Sequence, residues 1–226
     1  LDYLPPVTNP RKIICIGVNY PDRKPRLTRE GERSTFPSVF MRTRESLVGH
    51  GQAILKPPET DQLDYAGEIV MVIGKGGRRI PEEKAPEHIA GLTIMNEGSA
   101  RDWMRHGDFN VTQGKNFESS GSLGPWMMTR EACPPFDELE LETRVNGELR
   151  QSGSTSGLRF RFTYLVTYLS TFMRLTPGDL IATGTPRGTG DEQEPPVYLQ
   201  PGDEVEVSVE GVGKLGNRVE AEMVAD

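Results

Sequence analysis

Apolar, β-branched runs too short to make a packed helix, each stopped by glycine or proline, set the limits on what this chain can fold into. The strongest spans residues 68–73 (Glu-Ile-Val-Met-Val-Ile) and is closed by Gly74 and the pair Gly76-Gly77. Such a run reads as a buried strand. Residues 12–18, 38–41, 53–55 and 90–95 read the same way. The 25 Gly and 18 Pro are spread through turns rather than gathered in one tract, which fits a loop-rich β architecture and not a collagen-like or disordered chain.

The turns carry their own chemistry. Asn146-Gly147 between two strand-like segments predicts a type I′ hairpin. Thr176-Pro177-Gly178-Asp179 and Gln200-Pro201-Gly202-Asp203 centre Pro-Gly as a type II turn does, each before a strand. Residues 204–209 and 215–219 flank Glu210-Gly211-Val212-Gly213 as a final hairpin. Phe162, Leu165, Val166, Leu169 and Phe172-Met173 fall on one face of a helix of about three turns. Pro81 with acids behind it starts a helix over 81–88, and Ser99 reads as the N-cap of a helix over 99–106. The sum is an α+β domain, mainly β, in which residues 1–226 form one unit and 1–37 supply an N-terminal strand and a loop. The chain begins at Leu1 and not at Met, so further residues upstream are expected. Residues 20–37 are polar, rich in Arg and Lys, and broken by Pro21 and Pro25. They are expected to form a mobile lid that orders over an anionic substrate.

Charge and cysteine content narrow the partners. A net charge of −7 and a pI near 5.2 argue against binding a nucleic-acid backbone. Cys15 and Cys133 are in no metal or redox spacing, which predicts reduced, structural thiols and a cytoplasmic protein. No apolar run approaches the roughly 18 residues of a membrane span, and no signal peptide is visible.

Side chains alternate along a strand, so positions 66 and 68 share a face. Glu68 on one strand and Glu97 at the end of another can meet around a single cation. Two carboxylates neutralise Mg²⁺ formally, and water with a chelating ligand would complete its octahedron. On spacing alone this is a weak signal, and Glu68 reads as an edge-strand charge.

Three segments, taken in order, add to it: Asp64-Tyr65-Ala66-Gly67-Glu68, Asn96-Glu97-Gly98-Ser99-Ala100-Arg101-Asp102 and Gln113-Gly114-Lys115-Asn116-Phe117. They resemble the active-site core of the fumarylacetoacetate hydrolase family. The likeness runs from Cys15-Ile16-Gly17-Val18-Asn19-Tyr20 through Ser46-Leu47-Val48-Gly49, Val145-Asn146-Gly147 and Thr183-Gly184-Thr185-Pro186 to Pro201-Gly202-Asp203. It implies a mixed β-sheet roll with small helices, a homodimer, and Mg²⁺ (or Mn²⁺) as cofactor. It implies action on a small anionic 2-oxo acid or acylpyruvate through a metal-stabilised enolate, by C–C hydrolysis, decarboxylation or tautomerisation. It places Glu68 and Glu97 as metal ligands, Lys115 on the substrate's anionic end and the forming enolate, Arg101 beside them, and Gly184 and Thr185 on the substrate carboxylate. The bland readings are a surface Lys for Lys115, an Arg that only orients Glu97, and a plain turn at Gly184.

The sequence departs from the family pattern in two places. Ala66 stands where the family has a first metal-binding Glu, which predicts a weakened metal site and is equally what an inactivating Glu→Ala change would look like. Where the family carries a water-activating His–Glu dyad after Asn-Tyr, this chain has Arg23 and then Arg26. Arg stays protonated and cannot be a general base, but Arg23 can hold a substrate carboxylate bidentately; its bland reading is a solvated basic loop. Glu30 and Glu32 are substitute acids on the same loop. His106 suits proton transfer, although a lone His at a helix end more often makes a dipole or solvent contact. Loss of the dyad shifts the expectation from hydrolysis toward decarboxylation or isomerisation. A non-catalytic binder of small dicarboxylates is the alternative from another class.

Overall fold

The computed structural model describes residues 3–23, 34–107 and 110–223. Arg26, Glu30, Glu32 and most of the expected lid therefore lie outside the described residues. The strands are β1 (Ile13–Ile16), β2 (Val39–Arg42), β3 (Leu47–Val48), β4 (Ile54–Lys56), β5 (Leu63–Asp64), β6 (Gly67–Ile73), β7 (Ile89–Asn96), β8 (Ser99–Ala100), β9 (Gly121–Thr129), β10 (Glu140–Val145), β11 (Glu148–Ser154), β12 (Leu180–Ala182), β13 (Glu204–Val209) and β14 (Gly213–Ala221). Among the described residues two α-helices accompany them, the single turn α1 (Thr112–Lys115) and α2 (Phe162–Phe172). A seven-stranded mixed sheet runs β2-β1-β12-β6-β7-β9-β3, a five-stranded sheet runs β11-β10-β13-β14-β4, and β5 pairs with β8 alone.

Strand β6 is the spine because both of its faces are covered. All seven of its residues are buried, as its unbroken apolar run requires. Ile69, Met71 and Ile73 pack with Leu141 and Val207 of the second sheet and with Phe162, Leu165, Val166 and Leu169 of α2. Val70 and Val72 turn the other way, onto Ile13, Cys15, Met95, Leu123 and Leu180. Alternation then puts Glu68 with Val70 and Val72, on the face of the large sheet turned away from α2. Gly67 points at the second sheet, where a Cβ would come 2.2 Å from the Thr143 hydroxyl and 2.9 Å from Val207. Only a glycine allows the two sheets to approach so closely there.

The turn residues behave as their chemistry dictates. Asn146 and Gly147 take φ of 52° and 80°, the two left-handed positions of a type I′ turn. Gly178 (φ 84°) and Gly202 (φ 103°) close turns in which Asp179 N–H donates to Thr176 O and Asp203 N–H to Gln200 O, both at 3.0 Å. The Asp179 and Asp203 carboxylates reach back to accept from Thr176 N–H and Gln200 N–H, both at 2.7 Å.

Two elements differ from expectation. Residues 99–106 are not a helix capped by Ser99. Ser99–Ala100 is a strand registered against Leu63–Asp64, and only one 3₁₀ turn, Trp103–Arg105, follows. The Ser99 hydroxyl is engaged by Lys115 (2.7 Å) and by the Glu97 carbonyl (3.2 Å), so it caps nothing. Glu82–His88 is a 3₁₀ helix, because Pro86 has no N–H to continue an α-helical ladder. Strand β9 carries Gly124-Pro125. The pair is accommodated where the pairing of β7 and β9 slips between Leu92 and Ile94.

Candidate active site

A cavity of about 940 Å³ opens where the ends of β1, β2, β6 and β7 meet α1 and the loop after β12. Among the described residues its wall includes Arg23, Ala66, Glu68, Glu97, Arg101, Lys115 and Thr185. The two carboxylates come together because β6 and β7 are antiparallel neighbours, with Glu68 opposite Met95. The Glu97 N–H then donates to Ala66 O at 2.8 Å, which locks the end of β7 to the start of β6.

Glu97 is 2% exposed and held by two cations. Arg42 Nη1 donates to its Oε1 at 2.5 Å, and Lys115 forms an ion pair with its Oε2. Arg42 also donates to Gly98 O (2.6 Å) and Ser120 Oγ (3.2 Å), so the guanidinium fork is fully used and rigid. Arg42 had no signal in the sequence. It is one basic residue ending an apolar strand, and its partner lies 55 positions away. Lys115, on α1, is buried. Burial lowers its pKa, opposed by Glu97 and aided by Arg101 and Arg42.

Glu68 is as buried as Glu97 but far less compensated. Among the described residues its one hydrogen-bond donor is the Gly184 N–H, at 2.9 Å to Oε2. Burial first and the Glu97 charge second push its pKa from 4.5 up to about 8. Gly184 thus serves Glu68 rather than a ligand. Its φ of +98° and a Cβ distance of 2.8 Å to Asn19 explain why this position takes glycine. Asn19 in turn accepts from Phe160 N–H (2.8 Å) and donates to Thr183 O (2.8 Å), fixing the loop on which Arg23 sits. Thr185 faces the cavity, and its hydroxyl accepts from Gln151 Nε2 at 2.8 Å. Among the described residues its own proton has no acceptor.

Arg101 does not orient Glu97. Its Nε donates at 2.8 Å to Asp64 Oδ2, and Asp64, fully buried, also accepts from the backbone N–H groups of Tyr65, Gly190 and Asp191. His106 is not brought into the site. It is exposed, outside the cavity wall, with its ring 4.2 Å from that of Trp103. With residues 99–106 in a strand and a single 3₁₀ turn, no helix end carries it inward.

Six cations (Arg23, Arg42, Arg101, Arg105, Lys115 and Arg159) and four carboxylates (Glu68, Glu97, Asp191 and Glu192) line the cavity among the described residues. On a chain of net charge −7 this local excess of positive charge favours an anionic ligand. No group of three His, Cys, Asp or Glu side chains is placed to hold a metal among the described residues. The remaining donor set is Glu68 with Glu97. Two buried carboxylates in one cavity wall, one of them driven toward neutrality by burial and by the other's charge, are an arrangement a divalent cation relieves. Each Glu97 oxygen keeps a second lone pair beyond its present hydrogen bond. The pair therefore fits a two-carboxylate cation site that water or a chelating ligand would complete, and Ala66 adds nothing to it.

The Glu68 shift has a thermodynamic consequence. A carboxyl whose folded pKa lies above its unfolded value keeps its proton in the folded state where the unfolded chain has lost it. In chelator, stability should fall as pH rises from 4.5 toward about 8 and level off above. Denaturant melts across that range should show this slope for the wild type and a flattened one for Glu68→Gln; an equal slope in both would exclude Glu68 as its source.

Residues 12–220 match the family model described as the fumarylacetoacetate (FAA) hydrolase C-terminal domain. The chain belongs to the fumarylacetoacetate hydrolase family. It is 41% identical over 217 residues to the oxaloacetate tautomerase YisK of Bacillus subtilis (strain 168), covering 95% of this chain and 71% of that protein. It is 37% identical over 218 residues to the human mitochondrial oxaloacetate tautomerase FAHD2A, with 96% and 69% covered. Among solved structures, the Exiguobacterium antarcticum fumarylacetoacetate hydrolase superimposes with a TM-score of 0.88 at 40% identity, covering 97% of this chain and 78% of that one. The 5-carboxymethyl-2-hydroxymuconate delta-isomerase of Mycobacterium smegmatis does so with a TM-score of 0.85 at 33% identity, covering 98% and 83%. This family membership and the mainly β fold with few helices agree with the reading of the sequence, and the relatives include enzymes named as oxaloacetate tautomerases and isomerases. No helix among the described residues is long and apolar enough to cross a membrane. Since FAHD2A is named as mitochondrial, kinship does not place this chain in the cytoplasm.

Proposed function

We propose that this protein catalyses keto–enol isomerisation of a small 2-oxo acid, and that oxaloacetate-type tautomerisation describes it better than C–C hydrolysis. The observation that carries the reading is the buried Lys115 ammonium, held between Glu97 and Ser99 in a cavity whose wall is richer in cations than in carboxylates. Isomerisation removes a proton from C3 and places one on the C2 oxygen, through a state in which that oxygen is negative. An ammonium fixed in a desolvated site stabilises such an oxygen without having to reorganise. Burial also pulls the Lys115 pKa down, toward the range in which proton transfer is efficient. Arg42 holds Glu97, and Glu97 with Ser99 aims Lys115.

Hydrolysis would need an activated water. The position that bears the family's His carries Arg23, which cannot accept a proton. Bound between Glu68 and Glu97, a divalent cation would supply Lewis-acid polarisation of the substrate's carboxylate and 2-oxo oxygens. The relatives named as oxaloacetate tautomerases support the same reaction class.

The test follows the ultraviolet absorbance of the enol as oxaloacetate and an acylpyruvate panel equilibrate, with and without Mg²⁺ and Mn²⁺. Lys115→Met, which leaves Glu97 paired to Arg42, is expected to lower kcat/KM by about 10²–10³-fold, the usual loss when one fixed oxyanion donor is removed. Wild-type protein that binds oxaloacetate without accelerating the approach to equilibrium would make the site a binder and not a catalyst.

A further inference from the structure

Two guanidinium nitrogens of cavity-lining residues are unpaired among the described residues. Arg23 Nη1 and Arg101 Nη2 are both buried without a hydrogen-bond partner there. Leaving a buried donor unpaired costs about 1–3 kcal/mol, more for a charged group. The whole Arg101 side chain is 8% exposed, and its other two nitrogens are committed, Nε to Asp64 and Nη1 to the Met104 sulfur. The two arginines are near enough that the charge of Arg101 is felt at Arg23. Both line the same cavity as Glu68 and Lys115. The other buried basic groups there, Arg42 and Lys115, are satisfied by Glu97. Arg101 is buried and Arg23 partly so. Although Glu192 acts on Arg23, and Asp64 and Asp191 on Arg101, each keeps N–H groups unpaired among the described residues, a pair of donors that suits an anion.

We infer that Arg23 and Arg101 form a carboxylate clamp for the second carboxylate of a dicarboxylic 2-oxo acid, and that Arg23 sets the preference for two carboxylates over one. The inference rests on reading the cavity as a 2-oxo-acid site, and it adds where the distal carboxylate goes and which residue selects it. Arg23 stands where a water-activating base was expected, so the same position that removes hydrolytic chemistry supplies selectivity.

The experiment uses ligands that differ only at the distal group. Oxaloacetate and 2-oxobutyrate are matched substrates, with a carboxylate in one replaced by a methyl in the other. Succinate and butyrate are the unreactive pair, and inorganic phosphate controls for general anion binding. Wild-type protein should favour oxaloacetate over 2-oxobutyrate in kcat/KM, and Arg23→Gln should lower that ratio about 10–100-fold, through KM. Arg23→Lys should retain part of the preference, since it keeps the charge and loses the fork. Calorimetric titration should show succinate tighter than butyrate, with the difference lost in Arg23→Gln.

If neither 2-oxo acid is turned over, the catalytic reading fails, while a succinate preference that depends on Arg23 still upholds the clamp. A ratio unchanged by Arg23→Gln, or no preference for succinate in wild-type protein, would overturn the clamp. Phosphate binding as tight as succinate with the same Arg23 dependence would overturn its assignment to carboxylates.

Discussion

Replacing Asp64 by Asn should lower the melting temperature by roughly 6–20 °C. Asp64 is fully buried and accepts from Arg101 Nε at 2.8 Å, Tyr65 N–H at 2.8 Å, Gly190 N–H at 2.7 Å and Asp191 N–H at 3.0 Å. Asn has nearly the same shape, so it creates no cavity, but it removes the counter-charge of a buried guanidinium. It also offers one acceptor oxygen where the carboxylate offers two. Removing one partner of a buried pair typically costs about 3–5 kcal/mol, because the other charge stays behind. For a chain of this size each kcal/mol shifts the midpoint by about 2–4 °C. The opposing effect is relief of the carboxylate's own desolvation. It loses here because Arg101 remains buried and the three backbone donors need a strong acceptor. A double-mutant cycle with Arg101→Met separates the two contributions. The double variant should recover part of the loss, and a shift of under about 2 °C for Asp64→Asn alone would mean that this cluster does not anchor the fold.

Ala66→Glu should raise affinity for Mg²⁺ and Mn²⁺ by about 10–100-fold, taking the effect of a lost supporting residue as the smallest that a direct ligand should show. Ala66 and Glu68 both line the cavity, whereas Gly67 between them points at Thr143 and Val207 of the second sheet. A carboxylate at 66 would therefore enter the space that Glu68 and Glu97 face, adding a third anionic ligand to a two-carboxylate site. The contrary effect is repulsion, since burial and then the Glu97 charge already push the Glu68 pKa up to about 8. Without metal, a third carboxylate should push it further and destabilise the protein. That same repulsion is what a divalent cation relieves, so stabilisation by metal should grow with the affinity. Calorimetric titration of both forms above pH 8, where proton release competes least, gives the affinities, and melts with and without Mg²⁺ give an independent reading. Equal or weaker metal binding in the substituted form would show that the arginines, and not a metal, claim the space beside Ala66.

The sequence alone determined whatever depends on local conformation or on side-chain alternation. Asn146-Gly147, Pro177-Gly178 and Pro201-Gly202 specify their turns because few residues tolerate φ above zero. The run 68–73 specifies a strand buried on both faces, and the spacing of Phe162, Leu165, Val166 and Leu169 specifies α2. Spacing at 68 and 97 gave only a weak site signal; the family was legible in the order of whole segments along the chain, with Ala66 as a departure from its pattern. What tertiary structure decided was which partner each charge meets. Arg42 reaches Glu97 across 55 positions, and Asp64 accepts from Gly190 and Asp191 across 126 and 127. Nothing local in the chain encodes such pairs. Pairing also diverted groups from the roles their types suggested. Gly184 donates to Glu68, Arg101 to Asp64, and the Ser99 hydroxyl, with the β5–β8 pairing around it, serves Lys115 in place of a helix cap. His106, left without that helix, stays at the surface. A residue's chemistry is written in its side chain, but in a buried site its role is set by which neighbour satisfies its charge, and only the folded chain brings those neighbours together.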